Sequence, residues 1–506
     1  MVENGRFPVG VARSRPDAPA VDPRPPSNRG PIHSIPTEIL FEIFELLAPP
    51  RTRDGVYALL ELTHVCHFWR VALLNKPQAW AAIFATQGDR RGFVEACLER
   101  SHAAPLEVTV DARSYGPAHQ SCTCVKGEVL ELIHNKADPC ERHFVFESLV
   151  DPRHSGRIHT LNVVLDDGMF VSDEGLVSLE LNNCRFFQLR HLQLTNLEWE
   201  DLGQQWDSFL PYSGFFPPTL RSLSFRGFYG HDKLTNVKNL TSLTFDNDAE
   251  KMNAEGFRTF MLNNQSLETL SLGCIKLEGG PDGPPVTLSK LKSFSIYYSE
   301  VYSEGTISAI FRVPALQRLS SLSAFMTTEE DNRVWLTLCA TGEDIMFTLK
   351  CDPECIQEAW QDLVEYAEPI IQRVRLEHWE GDDFNSVWSI IWFAGAHTLE
   401  ICRSLPCPSH GFWWRHMRQL GPQLKNIRFE MPLPEETGLF QDNDPRVEML
   451  FQAIEDLVVD SFKQGRPFSS VERMAVGESE QVKRQQGLIW RRFYDGRHLD
   501  QYILHE

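Results

Sequence analysis

The chain is patterned in two periods. From residue 158 onward a short motif recurs, apolar-x-x-apolar-x-apolar, whose second half alternates like a half-buried strand. Its clear copies are Ile158-x-x-Leu161-x-Val163, Leu189-x-x-Leu192-x-Leu194, Leu220-x-x-Leu223-x-Phe225, Leu240-x-x-Leu243-x-Phe245, Leu267-x-x-Leu270-x-Leu272 and Leu291-x-x-Phe294-x-Ile296. Leu316-x-x-Leu319 is a weaker copy. Ile371-x-x-Val374-x-Leu376 and Leu424-x-x-Ile427-x-Phe429 continue the series, with fainter candidates around Phe347–Leu349 and Leu399–Ile401. Starts in the clear run lie about 20 to 31 residues apart, a period that signals stacked repeats. Each strand points its apolar residues inward and the intervening ones outward. The rest of a unit, such as Asn253–Asn264 with Phe257, Phe260, Met261 and Leu262, is predicted to return as a helix or turn. Such a unit buries its inner face only against its neighbours.

Residues 32–84 follow the helical period instead. Ile35-Pro36 opens a first helix, because proline's fixed φ and missing N–H suit the first helical position. Glu38 lies in its first turn, where the helix dipole favours a carboxylate. Ile39, Leu40, Ile43, Phe44 and Leu47 form the apolar stripe, and the turn Pro49-Pro50-Arg51-Thr52-Arg53-Asp54-Gly55 ends it. A second helix is predicted with Leu59, Leu62, Cys66, Trp69 and Leu73 on one face; after Lys76-Pro77 a short segment carries Trp80 and Ile83. So small a unit has a marginal core. Trp69 and Trp80 give it more aromatic surface than it can hide, which implies a partner, either the rest of the chain or another protein.

These residues carry a resemblance. Ile35-Pro36-x-Glu38-Ile39-Leu40, Ile43-Phe44, Val65-Cys66-x-x-Trp69-Arg70 and Trp80 together closely resemble an F-box of the form common among fungal F-box proteins, with Ile35 where the family has Leu. The resemblance implies docking onto the Skp-type adaptor of a Skp–cullin–F-box ubiquitin ligase, and through it onto a cullin. The residues it assigns to that docking module are Ile35, Pro36, Glu38, Ile39, Leu40, Ile43, Phe44, Val65, Cys66, Trp69 and Trp80, some of them as core rather than interface. A generic helical hairpin packed on its own chain is the alternative. The recurring motif resembles degenerate leucine-rich repeats. Three positions past the strand, where that family places Asn or Cys, this chain has Leu197, Phe228, Asp248 and Ile275, so the asparagine ladder is missing. A mixed α/β domain with chance matches is the alternative there.

The fold class expected is α/β: an N-terminal helical F-box followed by a leucine-rich-repeat-like solenoid with a C-terminal helical cap. Its divisions are a disordered leader at 1–31, the F-box at 32–84, then a linker helix, first strand and Cys/His insertion at 85–157. The solenoid occupies 158–440 and the cap 441–506. The leader is rich in Pro, Arg, Ser and Gly, with too little apolar surface to offset its ordering entropy. The linker helix runs from Gly88 to about Arg100 on Phe93, Val94, Cys97 and Leu98, before an alternating strand at Pro105–Val110. The cap rests on a helical stripe of Val447, Leu450, Phe451, Ile454, Leu457 and Val458, with a second aromatic segment at Gln486–Tyr494.

Composition narrows the function. At 506 residues, 42% hydrophobic and 11% aromatic, the chain has material for more than one ordinary core. No apolar run reaches the ~18 residues of a membrane span, and the amino terminus shows no secretory pattern. A cytoplasmic or nuclear location is expected, and the 12 cysteines are read as reduced thiols. A formal charge of −20 argues against nucleic acid as a partner. Enzyme signatures (GxSxG, HExxH, GxxxxGK[ST], or GxGxxG opening a helix) are absent. Neither cofactor nor metal is expected. Cys122, Cys124, Cys140 and His143, with His119 and His134 nearby, form a weak candidate for structural zinc, and Cys351/Cys355 and Cys402/Cys407/His410 weaker ones.

The binding surface is expected at outward strand positions: His191, Gln193, Ser222, Ser224, Arg226, Ser242, Thr244, Ser293, Ser295, Tyr297, Lys350, Arg373, Arg375, Asn426 and Arg428. Arg226, Lys350, Arg373, Arg375 and Arg428 are the candidate substrate-binding residues. Arg373, Arg375 and Arg428 would suit an acidic or phosphorylated segment, since guanidinium forks pair with carboxylate and phosphate. Ordinary salt bridging to Glu377, Glu400 and Glu430 competes with that reading. The resemblance implies a non-catalytic substrate-recognition subunit that holds a protein target near a ubiquitin-loaded conjugating enzyme. The alternatives are a repeat scaffold acting outside degradation and a zinc-dependent enzyme built on the Cys/His cluster.

Overall fold

The computed structural model of the chain describes residues 35–48, 52–86, 91–111, 151–165, 186–196, 216–227, 231–246, 251–273, 276–298, 307–328, 334–352, 369–377, 396–402, 424–430 and 470–473, with single positions or pairs at 355, 359–360, 362 and 367. The leader at 1–31, the cluster of Cys122, Cys124, Cys140 and His143, and the helical segments assigned to the cap lie outside these residues.

Helix α1 spans Thr37–Leu47. Pro36 is its N-cap, one position earlier than predicted, since its ψ of 142° is extended while its carbonyl already accepts from Leu40 N at 3.0 Å. Helix α2 is Arg53–Val65, capped by Thr52, whose hydroxyl oxygen accepts from Gly55 N at 3.0 Å. The single second helix predicted through Leu73 is in fact two, because Cys66 is fully extended and α3 begins at His67–Leu74. The break is held by local bonds: Cys66 Sγ accepts from Trp69 N at 3.4 Å, and Arg70 Nε donates at 2.9 Å to Thr63 O, a carbonyl the helix end leaves without a partner. The kink folds α3 back on α2, so that Leu59 and Leu73 meet in a small core with Leu40, Phe44, Ala48 and Ala72.

A 3-10 turn, Pro77–Trp80, leads directly into strand β1, Ala82–Thr86. Helix α4 (Arg91–Arg100) and β2 (Leu106–Asp111) follow, as predicted from their stripes. The remaining elements are α5 (Pro152–Ser155), β3 (Ile158–Leu165), β4 (His191–Asn196), β5 (Ser222–Arg226), β6 (Ser242–Asp246), β7 (Lys251–Asn253), α6 (Ala254–Asn263) and β8 (Thr269–Leu272). Then come β9 (Lys276–Glu278), β10 (Val286–Thr287), β11 (Ser293–Tyr298), α7 (Ile307–Ile310), β12 (Phe311–Arg312), β13 (Leu319–Thr328), β14 (Val334–Gly342) and β15 (Met346–Cys351). Strands β16 (Arg373–Glu377), β17 (Thr398–Cys402), β18 (Asn426–Glu430) and β19 (Ser470–Arg473) complete the chain.

Fifteen of these strands form one sheet, ordered β1-β2-β3-β4-β5-β6-β8-β11-β15-β14-β13-β16-β17-β18-β19. All its described pairs are parallel except those of β14. The motif leucines stack in register: Leu161, Leu192, Leu223, Leu243, Leu270, Phe294 and Phe347 form one buried row. At the strand entrances two successive N–H groups donate to one carbonyl of the preceding unit. Thr241 and Ser242 donate to Arg221 O, Glu268 and Thr269 to Thr241 O, and Lys425 and Asn426 to His397 O.

The missing asparagine ladder has substitutes. Thr219 Oγ1 donates to Leu189 O and Ser266 Oγ to Leu240 O, both at 2.9 Å, each from the position before a motif leucine to the previous unit. Asn264, fully buried, bridges two units by accepting from Leu240 N at 3.0 Å and donating to Val237 O and Phe260 O. On the other side, α6 presents Phe257, Phe260 and Met261 to the core, as predicted, while Leu262 points outward.

One expectation changes. The strand after β11 was expected to begin at Leu316–Leu319, yet β13 lies three places away and β15 takes the place beside β11. β13, β14 and β15 are joined by connections too short for a parallel return, so they fold as a meander, and that meander is inserted with β15 beside β11 and β13 beside β16. Within 441–506 the described residues, Ser470–Arg473, form β19, parallel to β18, and lie between the two segments assigned to the cap.

Gly273, just past β8, packs on Asp246: a Cβ there would lie 2.7 Å from the Asp246 Cα. Gly273→Ala is expected to destabilise by about 1–3 kcal/mol, read as a lower thermal midpoint, whereas Gly280→Ala, with open space around its position, should leave the midpoint unchanged.

Candidate functional site

Two surfaces are candidates, the outer side of the helical module and the polar face of the sheet. In the module, Leu40, Phe44 and Trp80 are core, not docking surface: each is buried in this chain. Trp80 joins the core of the sheet rather than that of the helices, its Nε1 donating to Leu73 O at 2.9 Å with the Arg100 guanidinium 4.6 Å over its ring. Ile35, Ile43, Cys66 and Trp69 are half-buried; Pro36, Glu38, Ile39 and Val65 are exposed. The Trp69 ring meets Phe44 edge-on at 5.0 Å, and its Nε1 is buried without an acceptor.

The apolar stripe of α1 is wider than its own core can cover. Ile39, Leu46 and Leu47 are 46, 82 and 55% exposed, and their spacing of seven and eight puts them on one side of the helix beside Ile43. Val65 and Val71, also exposed, flank the α2–α3 break. Among the described residues these five make up most of the nine large apolar side chains left bare, so exposure concentrates on the module instead of scattering. Leu46 and Val71 were not picked out from sequence; for Leu46 the signal was its place one heptad after Ile39. Behind this strip, between α1, α2 and β2, lies a groove of about 570 Å³ floored by Phe44, Ala48 and Leu59. At its edge Lys76 bridges Glu45 at 2.9 Å and lies over the Phe41 ring.

On the sheet, alternation sends the residues between the motif leucines to the opposite face. One register row runs Asn162, Gln193, Ser224, Thr244, Ser271, Ser295, Thr348, Cys339, Ser323. The next runs Thr160, His191, Ser222, Ser242, Thr269, Ser293, Met346, Thr341, Ser321. From β3 to β13 neither row holds an Asp, Glu, Lys or Arg, in a chain that is 23% charged. Neighbouring side chains bond along the rows, as Ser295 to Ser271 at 2.8 Å.

The five candidate substrate-binding cations are not together. Arg226 pairs with Asp246 at 3.5 Å. Lys350, on β15, holds its ammonium 4.9 Å from the Tyr297 ring and 5.3 Å from that of Trp335. Arg373, Arg375 and Arg428 do share the β16–β18 end, but Glu400 on β17 stands among them, nearly buried, 3.6 Å from Arg373 and 3.4 Å from Arg428. In register Glu400 lies between Arg375 and Arg428, so the arginines of this end share a carboxylate rather than forming a purely cationic patch. Trp335 was missed because β14 does not follow the repeat motif.

The other chemistry considered has little support here. Burial pushes the Cys351 thiol well above its usual range, with Cys355 and Asp352 adding to the shift, so the free thiol stays protonated. Among the described residues no group of three or more His, Cys, Asp or Glu is placed to hold a metal ion, and no helix is long and apolar enough to cross a membrane.

Residues 32–86 match the F-box-like family model. The chain therefore carries an F-box-like domain, and this points to binding of a Skp-type adaptor in a ubiquitin ligase. No curated protein matches the chain.

Proposed function

We propose that this chain is a substrate receptor of a Skp–cullin–F-box ubiquitin ligase, docking the adaptor by its helical module and a protein target by the polar face of a degenerate leucine-rich-repeat solenoid. The observation that carries the first half is the bare strip of Ile39, Leu46 and Leu47 within the matched domain. Covering that strip would bury an apolar stripe already half used by the module's own core, with Ile43, Pro36 and Val65 at its borders. Rows of aligned strands, closed by hydroxyl and Asn264 bonds between units, support the second half. The chain would perform no chemistry; it would raise the local concentration of its target near a conjugating enzyme.

The test is co-expression with a Skp-type adaptor, followed by sizing-column analysis. Wild type should elute as a one-to-one complex. Ile39→Asp with Leu47→Asp should weaken binding by about 2 kcal/mol or more without changing the melting curve of the receptor, whereas Leu262→Asp, at an exposed leucine of α6, should bind normally. Folded wild type that fails to bind would overturn the proposal.

A further inference from the structure

The neutral rows end beside an unexplained donor. Trp335 on β14 sits between Val334 and the fully buried, core-facing Leu336, so alternation places it on the polar face. It is only 3% exposed, and its Nε1 has no hydrogen-bond acceptor among the described residues. Buried polar groups are almost always paired, so this N–H marks a place for an acceptor that the described residues do not provide. The Tyr297 ring lies 4.8 Å from the Trp335 ring, and the Lys350 ammonium sits over both. Lys350 thus brings positive charge to the edge of a face whose two central rows have none.

We propose that Trp335, Lys350 and Tyr297 form the anchor of the substrate face, taking one carboxylate from an otherwise uncharged polypeptide segment whose body lies on the hydroxyl rows of β8, β11 and β15. The inference rests on the reading that this face receives the target. One carboxylate oxygen pairs with Lys350 and the other accepts from Trp335 Nε1, a charge-assisted arrangement strengthened where the aromatic rings exclude water. A basic group at the same place meets the Lys350 charge. Additional charges along the body would be desolvated against neutral hydroxyls with no counter-charge, which disfavours them, whereas amides and hydroxyls exchange water for Ser271, Ser295 and Thr348. The indole nitrogen is covered in the free protein, so binding includes a local side-chain shift, a common adjustment at interfaces.

The test is selection of short random peptides displayed on phage against the full chain immobilised through a terminal biotin, without the adaptor. Affinities of enriched peptides are then measured by fluorescence polarisation. Enriched peptides should be uncharged apart from one Asp or Glu. Changing that residue to its amide, or the receptor by Lys350→Gln or Trp335→Phe, should each weaken binding about tenfold, and Ser295→Asp should weaken it as well. Circular dichroism on each variant checks folding, and Lys350→Gln, at a side chain outside the core, keeps the test decisive if Trp335→Phe misfolds. Enrichment of basic or multiply charged peptides, affinities indifferent to these variants, or no enrichment at all would overturn the proposal. Adaptor binding measured on the same preparations separates the two readings. Its loss with the peptide pattern intact removes the ligase assignment alone, and its retention with the wrong peptide pattern removes this inference alone.

Discussion

Replacing Trp80 by alanine is expected to cost about 3–5 kcal/mol of stability, more than any substitution at Trp69. From sequence Trp69 is the less replaceable of the two, because it stands within the helical motif. Burial reverses that order: Trp80 is fully buried, whereas Trp69 is only half covered. Trp80 also holds two units together. Its indole donates to Leu73 O at the end of α3, its ring packs into the sheet core, and Arg100 of α4 caps its face. Trp80→Ala would leave a cavity at that junction and remove the indole bond to Leu73 O, leaving that carbonyl to its backbone donor Lys76 N at 3.1 Å, so β1 and the helices should loosen together. Trp80→Phe keeps most of the apolar volume and loses only the N–H, and should recover more than half of the loss. Urea unfolding followed by far-ultraviolet circular dichroism measures both; equal stability of Trp80→Ala and Trp69→Ala would contradict the placement.

Asn264→Ala is expected to cost about 3 kcal/mol or more, since it leaves one buried N–H and two buried carbonyls without partners at about 1–3 kcal/mol each. The groups concerned are Leu240 N, Val237 O and Phe260 O. They belong to adjoining units, and the loss should therefore appear as faster amide exchange of β6 and α6 together. Asn264→Leu tests whether volume matters: it restores size but no bonds, and should be as damaging as alanine. Asn264→Asp keeps the acceptor for Leu240 N but points a carboxylate at two carbonyls, and should be the worst of the three. A stable leucine variant would mean that packing, not hydrogen bonding, holds these units.

Some of this was legible in the chain itself. The spacing of apolar residues predicted β3, β4, β5, β6, β8 and β11, because a half-buried strand writes its alternation directly into sequence. The residues between the motif leucines marked the polar face for the same reason. Helix α1 and its stripe were equally plain, as were α4 and β2. Other features depend on what meets what in space. Sequence shows an apolar stripe on α1 but not which side of it the chain covers. Only the packing of α2 and α3 buries Leu40 and Phe44 and leaves Ile39, Leu46 and Leu47 bare.

The Cys66 break was hidden because it rests on a sulfur and an arginine bonding to backbone rather than on a Gly or Pro signal. Charge pairing was legible only as one of two readings, with Glu400 among the named competitors. Three arginines in sequence resemble an anion site until parallel pairing sets Glu400 between their strands. The antiparallel meander of β13, β14 and β15 could not be read from repeat spacing, since its short connections overrode the motif. By itself the sequence determined which residues alternate, which stripe is apolar and where the helical module lies, all properties of neighbours along the chain. The tertiary structure alone decided which of those residues are hidden, which charges cancel and which donor is left without an acceptor, because burial and pairing belong to residues brought together from far apart.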